Sequence, residues 1–285
     1  MPELPEVEVA RRNIVAWSSG HRILDVVLVD PACVRTREVS SPSAADPEAS
    51  EWLSRFVGHE LVQVERHGKR VAWRVGEVAA LHHLGMTGRW VRRASTAEPP
   101  RHSRLGLVLS SRETLWFVDT RRFGWLVAIA TADFDRALRR GHGPDALLEP
   151  PTGEQLSARC DTRSPIKTAL LDQRRIAGLG NIHVVDALWR AKINPMLPSR
   201  DLSEEQWERL ASAIPQQLAQ ALGYTTAEEV VYITDSGVAN PFEVYGREGA
   251  PCTECGTLIL QQRLGGRSTY WCPACQERDV PAKNG

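Results

Sequence analysis

Four cysteines near the C-terminus are the first residues whose spacing specifies a chemistry. Cys252-x-x-Cys255 and Cys272-x-x-Cys275 form two knuckles with residues 256–271 between them. Soft thiolates so arranged close a tetrahedral shell of four sulfurs around one zinc ion, and with every position filled by cysteine none is left for water, which makes the metal structural. The competing arrangement, paired disulfides, is disfavoured in a reducing cytosol. Between the knuckles, residues 257–263 and 267–271 read as two short strands joined across Gly265-Gly266, a hairpin too small to fold without its metal. Cys33 and Cys160 stand apart from this group.

Other candidates are weaker singly. Gly178-Leu-Gly180-Asn181 follows Arg174-Arg175 and precedes a helical pattern; a glycine hinge there presents free amides to a phosphate, with Asn181 as a side-chain donor, although such turns are more often just turns. Leu84-Gly-Met-Thr-Gly88 and Asp119-Thr-Arg-Arg-Phe-Gly124 each place one large side chain in a glycine-flanked turn. Met86 and Phe123 are either core residues or, at loop tips beside Arg121, wedges that enter a base stack. His82 and His83 are adjacent on a strand pattern, so one ring points in and the other out, and they cannot share a metal; His83 reads as a packing or hydrogen-bonding residue.

The elements that must position these groups are of two kinds. A helix is expected over residues 5–17, opened by Pro5 and acidic Glu6 and Glu8. From Arg22 to about Val127 the chain turns to short β-rich runs at 23–29, 61–66, 70–75, 79–83, 105–109 and 114–118, the pattern of a β-sandwich. Residues 35–50 and 95–103 read as loops, the first mobile. Linker punctuation at Gly141-His-Gly-Pro144 and Pro150-Pro151 marks a boundary, followed by helical patterns at 152–159, 164–171, 182–191 and 203–222, the last opened by a Ser203/Gln206 capping box. The expected fold is α+β and multidomain: residues 1–140 a β-sandwich with its N-terminal helix, 141–242 a helical domain, 243–280 the zinc hairpin.

The 285 residues carry 35 Lys+Arg against 35 Asp+Glu, and 42% of them are hydrophobic. That content excludes intrinsic disorder, and no apolar run of about 18 residues exists to span a bilayer, so a soluble, cytoplasmic protein is expected. Zero net charge conceals an uneven distribution. Residues 89–122 hold eight arginines against three acids, residues 159–200 eight cations against three acids, and residues 201–229 six acids against one arginine. Two basic segments from different domains suit one nucleic-acid groove, with the acidic helix turned away.

Assembled in chain order, the motifs resemble formamidopyrimidine-DNA glycosylases: Pro2-Glu-Leu-Pro-Glu-Val-Glu8, His-Gly-Lys69-Arg, His83-Leu-Gly-Met-Thr-Gly88, Asp119-x-Arg-Arg-Phe-Gly124, Gly-Leu-Gly-Asn181-Ile, Val-Tyr-Gly-Arg-Glu-Gly249 and the finger with Arg267. The series runs from residue 2 to residue 275. The resemblance implies a bifunctional glycosylase and abasic-site lyase that removes 8-oxoguanine and formamidopyrimidines from double-stranded DNA and cuts by β,δ-elimination, a monomer with one structural zinc and a helix–two-turn–helix in its second domain. It implies that Pro2, freed by loss of Met1, attacks sugar C1′; Glu3 is the proton donor; Lys69 contacts the lesion-flanking phosphate and assists β-elimination; Arg267 binds phosphate in the second elimination. Met86, Arg121 and Phe123 match the void-filling trio, and His102, Lys167 and Asn181 the contacts to the DNA backbone.

Departures from the pattern bear on lesion choice. Glu228 stands where many members have lysine in the loop over the everted base, and Asn240-Pro-Phe242 replaces a longer Gly-Tyr-Phe-type segment. Asp186 replaces the usual Glu, and His183 the usual Tyr, after the glycine turn; the shorter acid is expected to weaken a contact near the N-terminal amine. Two rivals remain: an endonuclease VIII-like enzyme for oxidised pyrimidines, against which Leu4 and the Arg-Arg-Phe loop speak, and a non-catalytic zinc-containing damage-binding protein, which would not need Pro2, Glu3 and Lys69.

Overall fold

The computed structural model describes residues 2–35, 47–224, 229–233 and 235–277. The chain forms two compact units, one of residues 1–140 and 225–236, the other of residues 141–224 and 237–285. The short excursion 225–236, expected in the helical domain, thus packs with the sandwich.

The first unit opens with α1(Leu4–Ser18), whose buried face is Leu4, Val7, Ala10, Ile14 and Trp17. Two sheets follow. β1(Ile23–Leu28), β7(Ser103–Leu109), β8(Glu113–Val118) and β6(Arg89–Ala94) form one, in that order; β2(Val34–Arg35), β9(Trp125–Ile129), β5(Val78–His83), β4(Arg70–Val75) and β3(Leu61–His67) form the other. Neighbours pair antiparallel except β2 with β9. Trp73 of β4 packs edge-on to Trp90 of β6 at 5.1 Å, and His82 of β5 on Phe117 of β8 at 4.8 Å, so aromatic rings knit one sheet to the other. Each such pair adds about 0.5–1.5 kcal/mol beyond the area it buries.

Strands β6 and β9 and the short helices α2(Ala49–Ser54) and α3(Phe134–Arg139) have no counterpart among the expected elements. The loop expected at 35–50 is shorter at both ends, because Arg35 is a buried strand residue and Ala49 begins α2; residues 36–46 lie outside the described residues.

The second unit holds α4(Gly153–Cys160), α5(Ile166–Leu170), α6(Asn181–Arg190), α7(Glu204–Tyr224) and the hairpin β10(Leu260–Leu264), β11(Arg267–Trp271). In α7 the buried residues Trp207, Leu210, Ile214, Leu218 and Ala221 recur at helical spacing and face α4 and α6. Its capping box forms as expected: Ser203 N donates to Gln206 Oε1 at 2.9 Å, and Gln206 N to Ser203 Oγ at 3.3 Å. The hairpin turns on Gly265 and Gly266, both at positive φ (57° and 76°), which the two-residue connection requires. Its first strand begins at Leu260, three residues later than expected. Among the described residues no helix is long and apolar enough to cross a membrane.

Candidate functional site

In the first unit the chemistry-bearing residues sit at the head of a helix and in turns at strand ends. Pro2 is buried at the head of α1, and Glu3, its N-cap residue, is 1% exposed. The Glu6 carboxylate accepts from Glu3 N–H at 2.8 Å, so the first turn of the helix fixes the backbone that carries Pro2. Lys69 is the second residue of the two-residue turn between β3 and β4, whose flanking pair is His67 and Arg70. Gly68 supplies the positive φ of 58° that this turn needs in its first position, leaving Lys69 half-buried at the tip.

The Met86 and Phe123 turns lie side by side and are knotted by one acid that sequence reasoning missed. Asp119, with no exposed surface, accepts from Thr87 Oγ1 at 2.5 Å, from Arg121 N at 3.1 Å and from Gly124 N at 2.7 Å. A Cβ at Gly85 would lie 2.4 Å from Gly124 N, and one at Gly124 would lie 2.4 Å from Phe117 Cζ, so glycine is required for the two turns to touch each other and the ring beneath. On this platform Met86 and Phe123 are partly exposed, Arg121 is exposed, and the Arg121 guanidinium lies 5.0 Å over the Phe123 ring. That exposure speaks against the core reading of these two side chains. The signal that would have found Asp119 is its place directly after a β-run and before a turn, where a short carboxylate caps backbone amides.

His102 is exposed and held at φ 67°, with its carbonyl accepting from Asp119 N. His83 Nδ1 accepts from Gly85 N at 2.9 Å and its ring stacks on Trp125, as a packing residue requires. Residues 232 and 235 are fastened at the start of β6: Tyr232 donates to Gly88 O at 2.5 Å, and Arg89 grips Asp235 through both carboxylate oxygens at 2.8 and 2.9 Å. Glu228 lies outside the described residues.

The basic stretch 89–122 is partly neutralised by acids from elsewhere: Arg89 by Asp235, Arg93 by Glu229, Arg104 and Arg122 by Asp30. Its surplus of arginine is therefore part scaffold.

In the second unit the four thiol sulfurs converge within 4.8 Å of one another, with Sγ separations of 3.9 Å for Cys252 and Cys275 and 3.4 Å for Cys255 and Cys272. A tetrahedral tetrathiolate zinc has S–S edges of about 3.8 Å, so the set fits the ion. The finger is keyed to the helices by Gln276, fully buried, which accepts from Cys272 N at 2.9 Å and donates to Ile193 O at 2.8 Å.

Arg267, exposed at the start of β11, is buttressed through its neighbour: Asn181 Nδ2 and Lys167 Nζ both donate to Ser268 O, at 2.9 and 3.0 Å, and Lys167 also to Thr269 Oγ1 at 2.7 Å. Lys167 has no exposed surface. A direct phosphate contact, expected from resemblance, does not suit an ammonium spent on the hairpin backbone; Lys167 supports the strand beside Arg267 instead. Asn181 is partly exposed, but its Oδ1 is buried without a hydrogen-bond partner.

Asp186 is likewise committed within its unit, accepting from Glu243, Val244 and Tyr245 N at 3.0, 3.2 and 3.1 Å. Burial pushes its carboxyl above the usual range even against these three donors. Within its own unit Asp186 thus has a structural duty, holding the backbone of residues 243–245 ahead of the finger.

Two partly exposed apolar side chains over a glycine platform, and a cysteine-clamped hairpin presenting an arginine, are compatible with a protein that works on a nucleotide drawn out of duplex DNA. Residues 1–126 match the formamidopyrimidine-DNA glycosylase N-terminal domain, residues 142–230 that family's H2TH domain, and residues 249–278 the zinc finger found in FPG and IleRS. The formamidopyrimidine-DNA glycosylase of Gluconobacter oxydans is 38% identical over 97% of this chain and 100% of its own. The structures of Lactococcus lactis Fpg with abasic-site DNA and with Fapy-dG DNA, 26% and 27% identical, each superpose with a TM-score of 0.83 over 97% of this chain and 100% of theirs. The chain belongs to the formamidopyrimidine-DNA glycosylase family.

Proposed function

We propose that this family member excises oxidised purines from double-stranded DNA by covalent catalysis at Pro2 and then cuts the strand. The observation that carries the reading is the fixed Pro2-Glu3 head of α1, capped by Glu6, in the same unit as a cationic turn at Lys69 and a wedge platform. Loss of Met1 frees a secondary amine; an α-amino group with a pKa of about 8 is partly unprotonated at neutral pH and attacks C1′ of the everted nucleotide. The base leaves as Glu3 gives a proton to the sugar or base. The resulting iminium acidifies C2′–H; as that proton departs, its electron pair forms the C2′=C3′ bond and the 3′ phosphate leaves.

Lys69 stabilises the departing phosphate, and Arg267 binds the phosphate of the second elimination. Met86 and Phe123 fill the gap left by the everted base while Arg121 meets the base opposite, and His102 and Asn181 hold the backbone. Cys252, Cys255, Cys272 and Cys275 hold one zinc, whose part is to keep the hairpin folded. The DNA partner is duplex carrying oxidised bases or abasic sites, engaged by a monomer in the bacterial cytoplasm.

The test is borohydride trapping on 8-oxoguanine duplex. A covalent complex is expected from the parent and none from Pro2→Gly or from protein retaining Met1. Absence of a trapped species with any oxidised-base or abasic duplex would refute the enzyme reading. A lesion panel in the same assay ranks purines against pyrimidines.

A further inference from the structure

The proposed nucleophile and the proposed elimination cation stand on different elements, Pro2 at the head of α1 and Lys69 at the β3–β4 turn. The two elements are joined by a buried relay. Glu8, one turn into α1, has a side chain 7% exposed; its Oε1 accepts from Arg11 Nη2 at 2.9 Å and Arg12 Nε at 2.8 Å, its Oε2 from Arg11 Nε at 3.0 Å and Arg66 Nε at 3.1 Å. Arg66 lies on β3 with a wholly buried side chain, and its Nη1 donates to Gly68 O at 3.1 Å. Gly68 is the turn residue immediately before Lys69. One guanidinium fork therefore grips the nucleophile's helix with one arm and the cation's turn with the other.

We infer that Glu8 and Arg66 are positioning residues for the elimination step: they set the place of the Lys69 turn relative to Pro2 without touching DNA. The inference rests on the roles proposed above for Pro2 and Lys69. Its physical basis is that guanidinium donors are fixed in one plane, so holding Glu8 and Gly68 O together fixes distance and direction at once, which a flexible ammonium cannot do. A buried cation also cannot be left unpaired cheaply, so loss of the Glu8 charge displaces Arg66 and with it the turn. Charge at Glu8 is retained at working pH, because the penalty of burial is outweighed by its arginine hydrogen bonds, which hold the carboxyl down at about 2.

The relay makes a prediction that overall stability does not, because it acts after the covalent step. Arg66→Lys keeps a cation facing Glu8 but cannot grip the Gly68 carbonyl in the same geometry. On a duplex with a preformed abasic site, this variant is expected to give borohydride-trapped complex within about twofold of the parent, while strand scission slows about tenfold or more, an angstrom-scale misplacement of a catalytic group being sufficient for that loss. The covalent intermediate should accumulate. Glu8→Gln should show the same split, more strongly, and thermal unfolding of both variants identifies any that fail to fold; Arg66→Lys is the one expected to fold in either case. Parallel loss of trapping and scission in folded Arg66→Lys would overturn the relay, as would scission equal to the parent's. A parent that traps nothing would instead remove the Pro2 reading, and the relay with it, and is distinguishable because it appears before any variant is made.

Discussion

The two regions that carry the proposed DNA-facing cations are held in opposite ways. Lys69 sits at a turn whose geometry is set by covalently continuous β-pairing, a positive-φ glycine and a buried ion pair, all within one hydrophobic sandwich. Arg267 sits on a two-stranded hairpin whose first strand is mostly exposed, and which leans on four cysteines and on three polar side chains, Lys167, Asn181 and Gln276. A two-stranded ribbon is marginal in water without such help. On the roles proposed above, the covalent chemistry would depend on a core, and the finger's grip on phosphate on a metal held by its four cysteines.

Stripping the metal is the severest way to test that contrast. Chelation or Cys255→Ser should lower affinity for abasic-analogue duplex by about a hundredfold and reduce the steepness of the salt dependence by about one unit for each phosphate that the finger no longer neutralises. The sandwich should keep its thermal transition. Disappearance of both transitions together would mean that the two regions are not independently held.

Next in size, Asp119→Asn removes a charged acceptor from three donors at once and should cost the sandwich about 1–3 kcal/mol. It should also blunt discrimination of the base opposite the lesion, because Arg121 and Phe123 lose their platform. Asp186→Asn, which likewise disturbs three backbone donors, should destabilise its own unit by a similar amount with opposite-base preference unchanged. If both variants changed that preference equally, Asp119 would have no special tie to the wedge.

Lys167→Met is a smaller perturbation that separates a buttress from a phosphate ligand. As a buried buttress, Lys167 contributes no counterion release, so the slope of binding against salt should match the parent's, with affinity down by only a few-fold through looser placement of Arg267. A slope lower by about one unit would restore the direct phosphate contact that resemblance implied.

Legibility in the sequence followed the same division. The finger's four-cysteine cluster and Gly-Gly turn could be read directly, being local signals whose spacing is their geometry, although its first strand starts three residues later than its sequence pattern. The wedge turns could be located but not ranked, because whether Met86 and Phe123 are core or exposed depends on Phe117 and Asp119, which meet them through pairing across strands. Strand β6 was hidden because its buried residues are just Trp90 and Val91 among Arg89, Arg92 and Arg93, which look like a solvated run until Asp235 and Glu229 are seen to pair with them. Glu8 reads as helix-end chemistry because its partner Arg66 is 58 residues away. Lys167 is the opposite case: resemblance carries a DNA contact to the position, whereas its burial and its bonds to Ser268 and Thr269 point to a buttress.

The mildest test concerns a buried polar group in the sandwich interior. His82 is fully buried between Trp125 O, 2.9 Å from Nδ1, and Trp90 Nε1, 3.1 Å from Nε2. A carbonyl can only accept and an indole N–H can only donate, so the ring must carry its proton on Nδ1 and present a bare Nε2; a second proton would face the indole hydrogen. Burial, opposed by the Trp125 carbonyl, accordingly brings the pKa down to about 4. The unfolded chain, with an ordinary histidine pKa of about 6.5, binds more protons than the folded one throughout the interval between these values, so stability falls as pH drops through it and is fully present above it. Ring nitrogen shifts followed by NMR should show a neutral Nδ1–H imidazole down to about pH 4, with unfolding midpoints declining gently from about pH 6.5. Glu8, whose depressed carboxyl holds until about pH 2, should add a second, later loss that Glu8→Gln removes. A His82 that titrates near 6.5 would mean that the aromatic interior admits water, and the sandwich would then be no more rigid a support than the metal-held hairpin.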